Sequence, residues 1–340
     1  MQKQKLRPNK KSYKFPFYFL VKLDLIVSTI DKPFLQFEKM KHFTNICIST
    51  LISVYTLSCS SQKSSLSAYI DQNRPLLSAK IFAPNFISQE NESEFGSVFS
   101  KDGTEFYYAV DINGKAEIRY TKLENQKWSK PTVLISHKKY GYNDPFLSPN
   151  GNELFYISDM PKNETDTIKD FDIWYSKKVN NLWSKPINAG DTINSDKNEY
   201  YISFASTGKM YFASNKNTEE NRAHNFDIYT ATRTNGRFNE PIKLGDSINT
   251  KRYEADVFIS PDESYLIFSS ARKEGLGKGD LYISFKNKNG EWKKAKNMGG
   301  AVNTKGHELC PFVTSDGNYL FYTSKQDIYW ISTQILNQFK

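Results

Sequence analysis

The fold is decided by one stretch, residues 254–285, which reads EADVFISPDESYLIFSSARKEGLGKGDLYISF. An apolar run ends in a tight turn, an aromatic run follows, and a D-L-Y-I-S phrase comes third. The chain repeats this unit five times, with a period of roughly 50 residues, and such a period predicts a repeat architecture. The five turns read FSKDG (99–103), FLSPNG (146–151), FASTG (204–208), FISPDE (258–263) and FVTSDG (312–317).

Each phrase of the unit is short, rich in aromatic or β-branched residues and bounded by turn residues, which is typical of a β-strand. The S-P-D-G type of tetrapeptide predicts a hairpin turn, because Pro presets φ and Gly supplies a positive φ. A fourth phrase ends in Pro, as at Trp128–Pro131 and Trp183–Pro186. Four strands per unit predict a β-propeller blade.

The predicted fold class is therefore all-β: a β-propeller of five blades, each with four antiparallel strands. The fifth copy ends after its third phrase, Asp327–Ser332, and only residues 333–340 follow. Lys80–Pro84, before the first copy, is predicted to supply the missing outer strand and to close the ring, which leaves no open seam. Six blades are the alternative, which needs a further repeat that the sequence does not show.

These phrases resemble the WD40-like, TolB-type propeller repeats of bacterial envelope proteins. The resemblance rests on the S-P-D-G turn, the L-F-Y-x-S strand and the D-I-Y strand, and it covers residues 78–340. The sequence departs from the pattern at Thr207–Gly208, at Glu263 and at Glu117. The resemblance implies the propeller fold, but the family shares an architecture and not one activity, so it implies little about chemistry.

The formal net charge of +9 belongs mostly to the N-terminus. Residues 1–39 carry +6 and residues 40–58 carry +1, which leaves +2 for the rest of the chain. A nearly neutral propeller lacks the basic face that a nucleic acid requires, so no nucleic-acid partner is expected. The mean hydropathy of −0.62 excludes an integral membrane bundle.

The N-terminal region predicts a bacterial lipoprotein. Met40–His42 is basic, and Phe43–Leu57 is a mostly apolar stretch of signal-peptide length. Cys59 follows, before a serine-rich stretch, and this arrangement resembles a lipoprotein processing box. We therefore expect a lipid anchor on Cys59 and a location in the cell envelope, periplasmic or facing the outer membrane. Thr56 stands where the box prefers Leu, and a plain secretory signal is the alternative.

The chain is predicted to have four parts: an upstream extension at 1–39, a signal peptide at 40–58, a polar linker at 59–77 and the propeller at 78–340. Met40 is interpreted as the biological start, and a disordered extension is the alternative for residues 1–39. Cys47 lies in the signal peptide, and Cys310 is expected to be a small buried hydrophobe. No disulfide framework is predicted.

A set of carboxylates recurs with the repeat. Each stands six residues before the Ser, Thr or Ala that opens the first turn, and the set is Glu94, Glu199, Glu254 and Glu308. The second copy has Tyr142 there, with Asp144 two residues later. Because the first strand of a blade lines the central channel, these residues and His307 could ring its mouth and bind a ligand. We favour a structural role, since a residue repeated in most blades usually serves each blade.

The Asp that opens the third phrase, at Asp172, Asp227, Asp280 and Asp327, is likewise interpreted as a turn-fixing residue. A catalytic pair should instead break the repeat. The residues that do so are His137, His224, His307, Tyr140, Tyr142, Arg252 and Arg272. No G-x-S-x-G, H-E-x-x-H, C-x-x-C or phosphate-binding loop is present, so no catalytic residue, cofactor or metal site is predicted.

Three functions stay open at this point. The first is a non-catalytic propeller that binds a protein or glycan partner, with specificity in the variable loops 159–170, 215–225 and 271–279. The second is a carbohydrate-active enzyme that uses two acids at the channel mouth, such as Glu254 or Glu308. The third is a cation held in the channel.

Overall fold

The computed structural model describes residues 69–70, 72–163, 165, 170–217 and 225–340. These residues fall within one compact unit, Ser58–Lys340. They are all-β apart from a 3-10 helix at Thr333–Phe339. None of the helices in these ranges is long and apolar enough to span a bilayer. The predicted extension, the signal peptide and Cys59 lie outside the described residues.

Five antiparallel sheets form the five predicted blades, and in each the first three strands follow one another as hairpins. Blade 1 contains β2 (Glu94–Phe99), β3 (Glu105–Ile112), β4 (Lys115–Glu124), β5 (Lys127–Trp128) and β6 (Thr132–Ile135). Blade 2 contains β7 (Tyr142–Leu147), β8 (Glu153–Ser158), β9 (Asp172–Val179), β10 (Leu182–Trp183) and β11 (Ile187–Asn188).

Blade 3 contains β12 (Glu199–Phe204), β13 (Met210–Ser214), β14 (Asp227–Ala231) and β17 (Ile242–Lys243), with a short hairpin of β15 (Arg233–Thr234) and β16 (Arg237–Phe238). Blade 4 contains β18 (Glu254–Ile259), β19 (Tyr265–Ser270), β20 (Asp280–Phe285) and β21 (Lys296–Asn297). Blade 5 contains β22 (Leu309–Val313), β23 (Tyr319–Ser324), β24 (Asp327–Ser332) and β1 (Lys80–Ile81).

The S-P-D turn is held by its own side chains. In blade 4 the Ser260 hydroxyl donates to Asp262 at 2.8 Å and accepts from the Tyr265 N–H at 3.0 Å. Ser148 and Thr314 accept in the same way from the residue five positions on. The turn therefore recurs because its hydroxyl and acceptor close the hairpin locally.

The N-terminal strand closes the ring as predicted. β1 pairs antiparallel with β24, with Lys80 opposite Trp330, and it is the outer strand of blade 5. The Phe82 N–H continues the ladder by donating to Ile328 at 2.8 Å. The Phe82 ring is fully buried and packs against Phe321 and Trp330. Blade 5 is thus built from both ends of the described chain.

The sequence predicts that the fourth phrase, which ends in Pro, is the outer strand of its blade. In the structure the outer strand begins after that phrase. In blades 1 and 2 the Trp phrase forms a short hairpin that extends the third strand, as β5 does with β4. The outer strand follows the proline, for example β6 after Pro131. Pro84 comes after β1 and is therefore not the counterpart of Pro131. The physical reason is that proline cannot donate to the ladder, so it stands before the strand.

An asparagine anchors three of the blades to the loops that leave them. Asn249 accepts from the Ile228 N–H at 2.7 Å and donates to the Ile228 carbonyl at 3.0 Å, so its amide acts as an extra strand residue. Asn194 and Asn303 bind their third strands in the same way. Each asparagine is the last residue of a G-x-x-[IV]-N phrase. This phrase belongs to the repeat, but the predicted unit does not include it.

Candidate functional site

Three of the recurring glutamates are fully buried and hold the loop that enters their blade. Glu199 accepts from the Ser195 N–H and hydroxyl at 3.0 and 2.8 Å, and from the Ser214 hydroxyl at 2.6 Å. Glu254 and Glu308 make the equivalent three bonds. These bonds join each glutamate to the entering loop and to the second strand of its own blade.

Glu94, in blade 1, is the exception among the four. It is fully buried, but only the Gln89 N–H donates to it, at 3.0 Å, and its Oε2 has no partner among the described residues. Val110 stands where the other blades have the serine that binds the glutamate. Burial with few donors raises the pKa of Glu94 to about 7.

Among the acids of the third strands, Asp280 fixes a loop, whereas Asp172 and Asp227 accept from outer-strand side chains, Asn188 at 2.8 Å and Lys243 at 2.6 Å. Asp280 accepts from the Leu276 and Gly277 N–H groups at 2.5 and 2.9 Å, and from Asn297 at 2.6 Å. Tyr142 fills the glutamate position of blade 2. The Tyr142 ring is buried against Tyr156, with centroids 5.7 Å apart.

A second set of residues, two positions after the glutamates, does enter the channel. In every blade the first strand has a positive φ at this position, between 45° and 53°, next to a shift in register with the second strand. Such a bulge turns the side chain away from the sheet plane. The residue changes from blade to blade, and the five are Gly96, Asp144, Tyr201, Asp256 and Cys310.

Two aspartates of this set share a cysteine. The Cys310 thiol donates to Asp144 Oδ1 at 3.3 Å and lies 4.0 Å from Asp256 Oδ1. Asp144 and Asp256 are each 7 % exposed, and the Tyr253 hydroxyl donates to Asp256 at 3.3 Å. Burial raises the pKa of Asp144 to about 6, and burial together with the charge of Asp144 raises the pKa of Asp256 to about 8.

The channel is crossed below the two acids. Tyr201 of blade 3 donates its hydroxyl to the Pro311 carbonyl of blade 5 at 2.8 Å, and these two blades are not neighbours in a ring of five. The Phe312 ring lies 6.0 Å from Phe146 and 6.1 Å from Phe258, between centroids. A tyrosine and three phenylalanines from different blades therefore form an apolar floor.

Aromatic rings line one side of the entrance. Tyr200 and Tyr253 are half-buried, and Phe226 stands between them, with centroids 5.0 and 5.8 Å away. Phe171 extends the row from Tyr200, at 5.5 Å. Asp144 and Asp256 add to burial in raising the pKa of Tyr200, because their charges lie near its hydroxyl. We call the following residues the acidic channel site: Asp144, Tyr200, Tyr201, Tyr253, Asp256 and Cys310.

The other predicted residues lie elsewhere. The Arg272 side chain is buried, donates to the Ile248 carbonyl at 2.7 Å and lies over the Tyr282 ring, so it serves the blade. His137 stacks on Tyr140 at the surface. His307 is exposed, with its ring 6.0 Å from Tyr253. Arg252 is exposed in the loop before Tyr253, and His224 lies outside the described residues.

Two of the three variable loops, 159–170 and 215–225, fall partly outside the described residues. The third, 271–279, packs on the connection between blades 4 and 5, where the Lys278 N–H donates to Gly306 at 2.7 Å. Within the described ranges, no group of three or more His, Cys, Asp or Glu side chains is arranged to hold a metal ion.

No protein-family model matches the sequence, and no curated protein matches it. Solved propeller structures are similar at low identity. TolB from Acinetobacter baumannii is 14 % identical over 72 % of this chain and 55 % of its own, with a TM-score of 0.46. A putative TolB from Agrobacterium tumefaciens is 13 % identical over 69 % of this chain and 71 % of its own, at 0.44. The tricorn protease is 15 % identical over 71 % and 25 %, at 0.45. No activity follows from identities and TM-scores this low.

Proposed function

We propose that this protein is a lipid-anchored protein of the bacterial cell envelope whose propeller is a non-catalytic binding module for a protein or glycan partner. The binding surface is the entrance of the channel around the acidic channel site. No nucleic acid and no cofactor takes part in this proposal.

One observation carries the proposal: the channel residues are the ones that break the repeat. In three blades the recurring glutamates each accept three bonds from loop and strand groups of the propeller. The position two residues later does not follow the repeat, and it carries Gly96, Asp144, Tyr201, Asp256 and Cys310. A position with four residue types in five blades of a rigid ring is where a single asymmetric ligand would be recognised.

The binding surface is tested by photo-crosslinking in native envelopes. A benzophenone amino acid at Tyr200 is expected to give one discrete crosslinked product, because that ring lines the entrance. The matched control is the same amino acid at Thr207, an exposed turn residue of the same blade. A product at both positions, or at neither, would contradict a binding surface at the entrance.

The envelope anchor is tested separately on Cys59. The proposal rests on the basic, apolar and cysteine-serine order of residues 40–65. Labelled palmitate should be incorporated into the chain and lost in Cys59→Ser, with the protein moving from the membrane fraction to the soluble fraction. Cys310→Ser, which removes the thiol inside the propeller, should leave labelling unchanged. Incorporation into Cys59→Ser would exclude the anchor.

A glycoside hydrolase is the second candidate function. Its candidate catalytic acids are Asp144 and Asp256 in the channel, in place of Glu254 and Glu308. Asp144 and Asp256 form a close pair whose pKa values, about 6 and about 8, leave one acid protonated near neutral pH, as acid–base catalysis of glycoside cleavage requires. Hydrolysis of any member of a broad glycan panel, abolished in both Asp144→Asn and Asp256→Asn, would establish this function over the binding module.

A further inference from the structure

We propose that the acidic channel site binds the primary ammonium group of a lysine side chain that a partner protein presents to the channel. This inference rests on the proposed function, since it names the chemical group that the channel entrance recognises. It assigns a ligand to the carboxyl groups of Asp144 and Asp256, which have few hydrogen-bond donors within the propeller.

The two carboxyl groups lack the partners that buried carboxylates normally have. Asp144 accepts one bond, from the weak Cys310 thiol donor, and its Oδ2 has no hydrogen-bond partner among the described residues. Asp256 has only the long Tyr253 bond and the distant thiol. No Lys or Arg nitrogen of the described ranges lies within ion-pair distance of either acid. Buried carboxylates without donors are costly, and a bound cation removes that cost.

Aromatic rings lie beside the two acids. Tyr200 and Tyr253 have half-buried rings, and the Phe226 ring stands between them. An ammonium group gains from ring faces, and an aliphatic stem packs against the same rings on its way to a deeper charge. The Tyr253 hydroxyl already lies at Asp256, so ring and carboxyl are next to each other.

The bonding pattern favours a primary ammonium over a quaternary ammonium or a divalent metal ion. An ammonium has three N–H donors, which matches the open oxygens of Asp144 and Asp256, whereas a quaternary ammonium has none. A divalent metal ion would need more ligands than the described residues provide here. An amino sugar would bring hydroxyl groups against the Phe171 and Phe226 rings, which offer no hydrogen-bond partners.

The charge of the pair also suits one monovalent cation. Burial raises the pKa of Asp144 to about 6, and burial together with the charge of Asp144 raises the pKa of Asp256 to about 8, so the pair carries about one negative charge at pH 7. A lysine ammonium stays protonated at this pH, because its ordinary pKa is about 10.4. Binding should therefore strengthen from pH 5 to pH 8 as the two acids ionise.

The experiment titrates the purified full-length protein with Nα-acetyl-lysine methylamide and follows the NMR signals of labelled tyrosine rings. The norleucine analogue, which lacks the amine, the trimethyl-lysine analogue, glucosamine and Ca²⁺ are titrated in parallel. We expect the lysine probe to bind at least about tenfold more tightly than each of the others. Saturable binding of Ca²⁺ or of glucosamine with equal or higher affinity would overturn the inference.

Two variants locate the binding. Asp144→Asn and Asp256→Asn should each weaken the lysine probe about tenfold, because an amide removes the charge but keeps the shape. Asp102→Asn, at an exposed turn of blade 1, should leave the affinity unchanged. Equal affinity in all three variants would contradict the site, and the comparison of probes on the unmodified chain decides the matter if a variant does not fold.

The failure of this inference is distinguishable from the failure of the proposed function. A discrete crosslink at Tyr200 together with no preference for the lysine probe would leave the binding module standing and remove its lysine ligand. A preference for the lysine probe without a crosslink at Tyr200 would leave the ammonium site standing and remove the partner-binding surface at the entrance.

Discussion

Gly96 of blade 1 and Asp144 of blade 2 are fitted to each other across the channel side of a blade boundary. A Cβ on Gly96 would lie 2.5 Å from Oδ1 of Asp144 and 2.9 Å from its Cα, and Gly96 has a φ of +50°. A side chain at position 96 of blade 1 would therefore overlap both the carboxyl group and the backbone of Asp144 in blade 2. The missing side chain of blade 1 and the carboxyl group of blade 2 are therefore two parts of one packing arrangement.

Gly96→Ala is expected to destabilise the fold by about 2–4 kcal/mol, since it adds a backbone clash to the strain of a positive φ. Gly103→Ala is the matched control, because Gly103 has a φ of +70° but nothing within 4 Å of its Cβ position. That variant should lose only about 1 kcal/mol. Denaturant unfolding of both variants measures the difference, and equal losses would mean that the contact with Asp144 is not tight.

The buried acids make stability depend on pH. The pKa is raised to about 7 in Glu94 and Glu199, to about 6 in Asp144 and to about 8 in Asp256, in each case mainly by burial. A carboxyl whose pKa is higher in the folded state stabilises the fold at low pH, and this contribution is lost as pH rises from its unfolded pKa, near 4, through its folded one.

The free energy of unfolding should therefore be at least about 1 kcal/mol greater at pH 5 than at pH 8. Asp256→Asn removes the group with the highest of these pKa values and should flatten the profile between pH 6 and pH 8. The profile is measured by denaturant unfolding at each pH. A profile that rises with pH, or one that Asp256→Asn leaves unchanged, would contradict the assignment.

The sequence predicts the fold well because blade formation is local. Hairpin turns such as Ser260–Glu263 and the third-strand phrases specify each sheet separately, and the truncated fifth copy indicates how the ring closes. The site was harder to predict. The sequence singles out Asp144 in its own copy but not Asp256, because the two meet only in a closed ring that brings distant residues together around Cys310. Aligning the five copies residue by residue, and looking for the position that varies most, is a signal that could have found it.

Asn249 is expected to be one of the most sensitive polar positions of the propeller. Asn249→Asp keeps the shape and the acceptor for the Ile228 N–H, but it loses the donors to Ile228 and Leu244 and places a carboxylate against two carbonyl groups. We expect a loss of about 2–4 kcal/mol. Asn239→Asp is the control, since Asn239 is exposed and bonds only with surface threonine residues and loop backbone, and it should lose less than about 1 kcal/mol.

Closure of the ring by the N-terminal strand is tested at Phe82. Its ring is fully buried between Phe321, Trp330 and Phe99, so Phe82→Ala leaves a cavity where the two ends of the propeller meet. We expect a loss of about 3–5 kcal/mol in the free energy of unfolding. Because β1 is held by this contact and a two-residue ladder, the backbone amide hydrogen of residue 82 should also exchange for deuterium much faster in the variant than in the unmodified chain.

The control for Phe82 is Leu182→Ala, a truncation of a side chain that is 73 % exposed on a short strand of blade 2. It should change the free energy of unfolding by less than about 0.5 kcal/mol and leave the exchange in β1 unaltered. If Phe82→Ala unfolds as cooperatively as this control and at the same denaturant concentration, β1 does not hold blade 5. The ring would then be closed by contacts between the faces of blades 5 and 1, such as that of Phe99 with Phe321, which lie 5.5 Å apart between centroids.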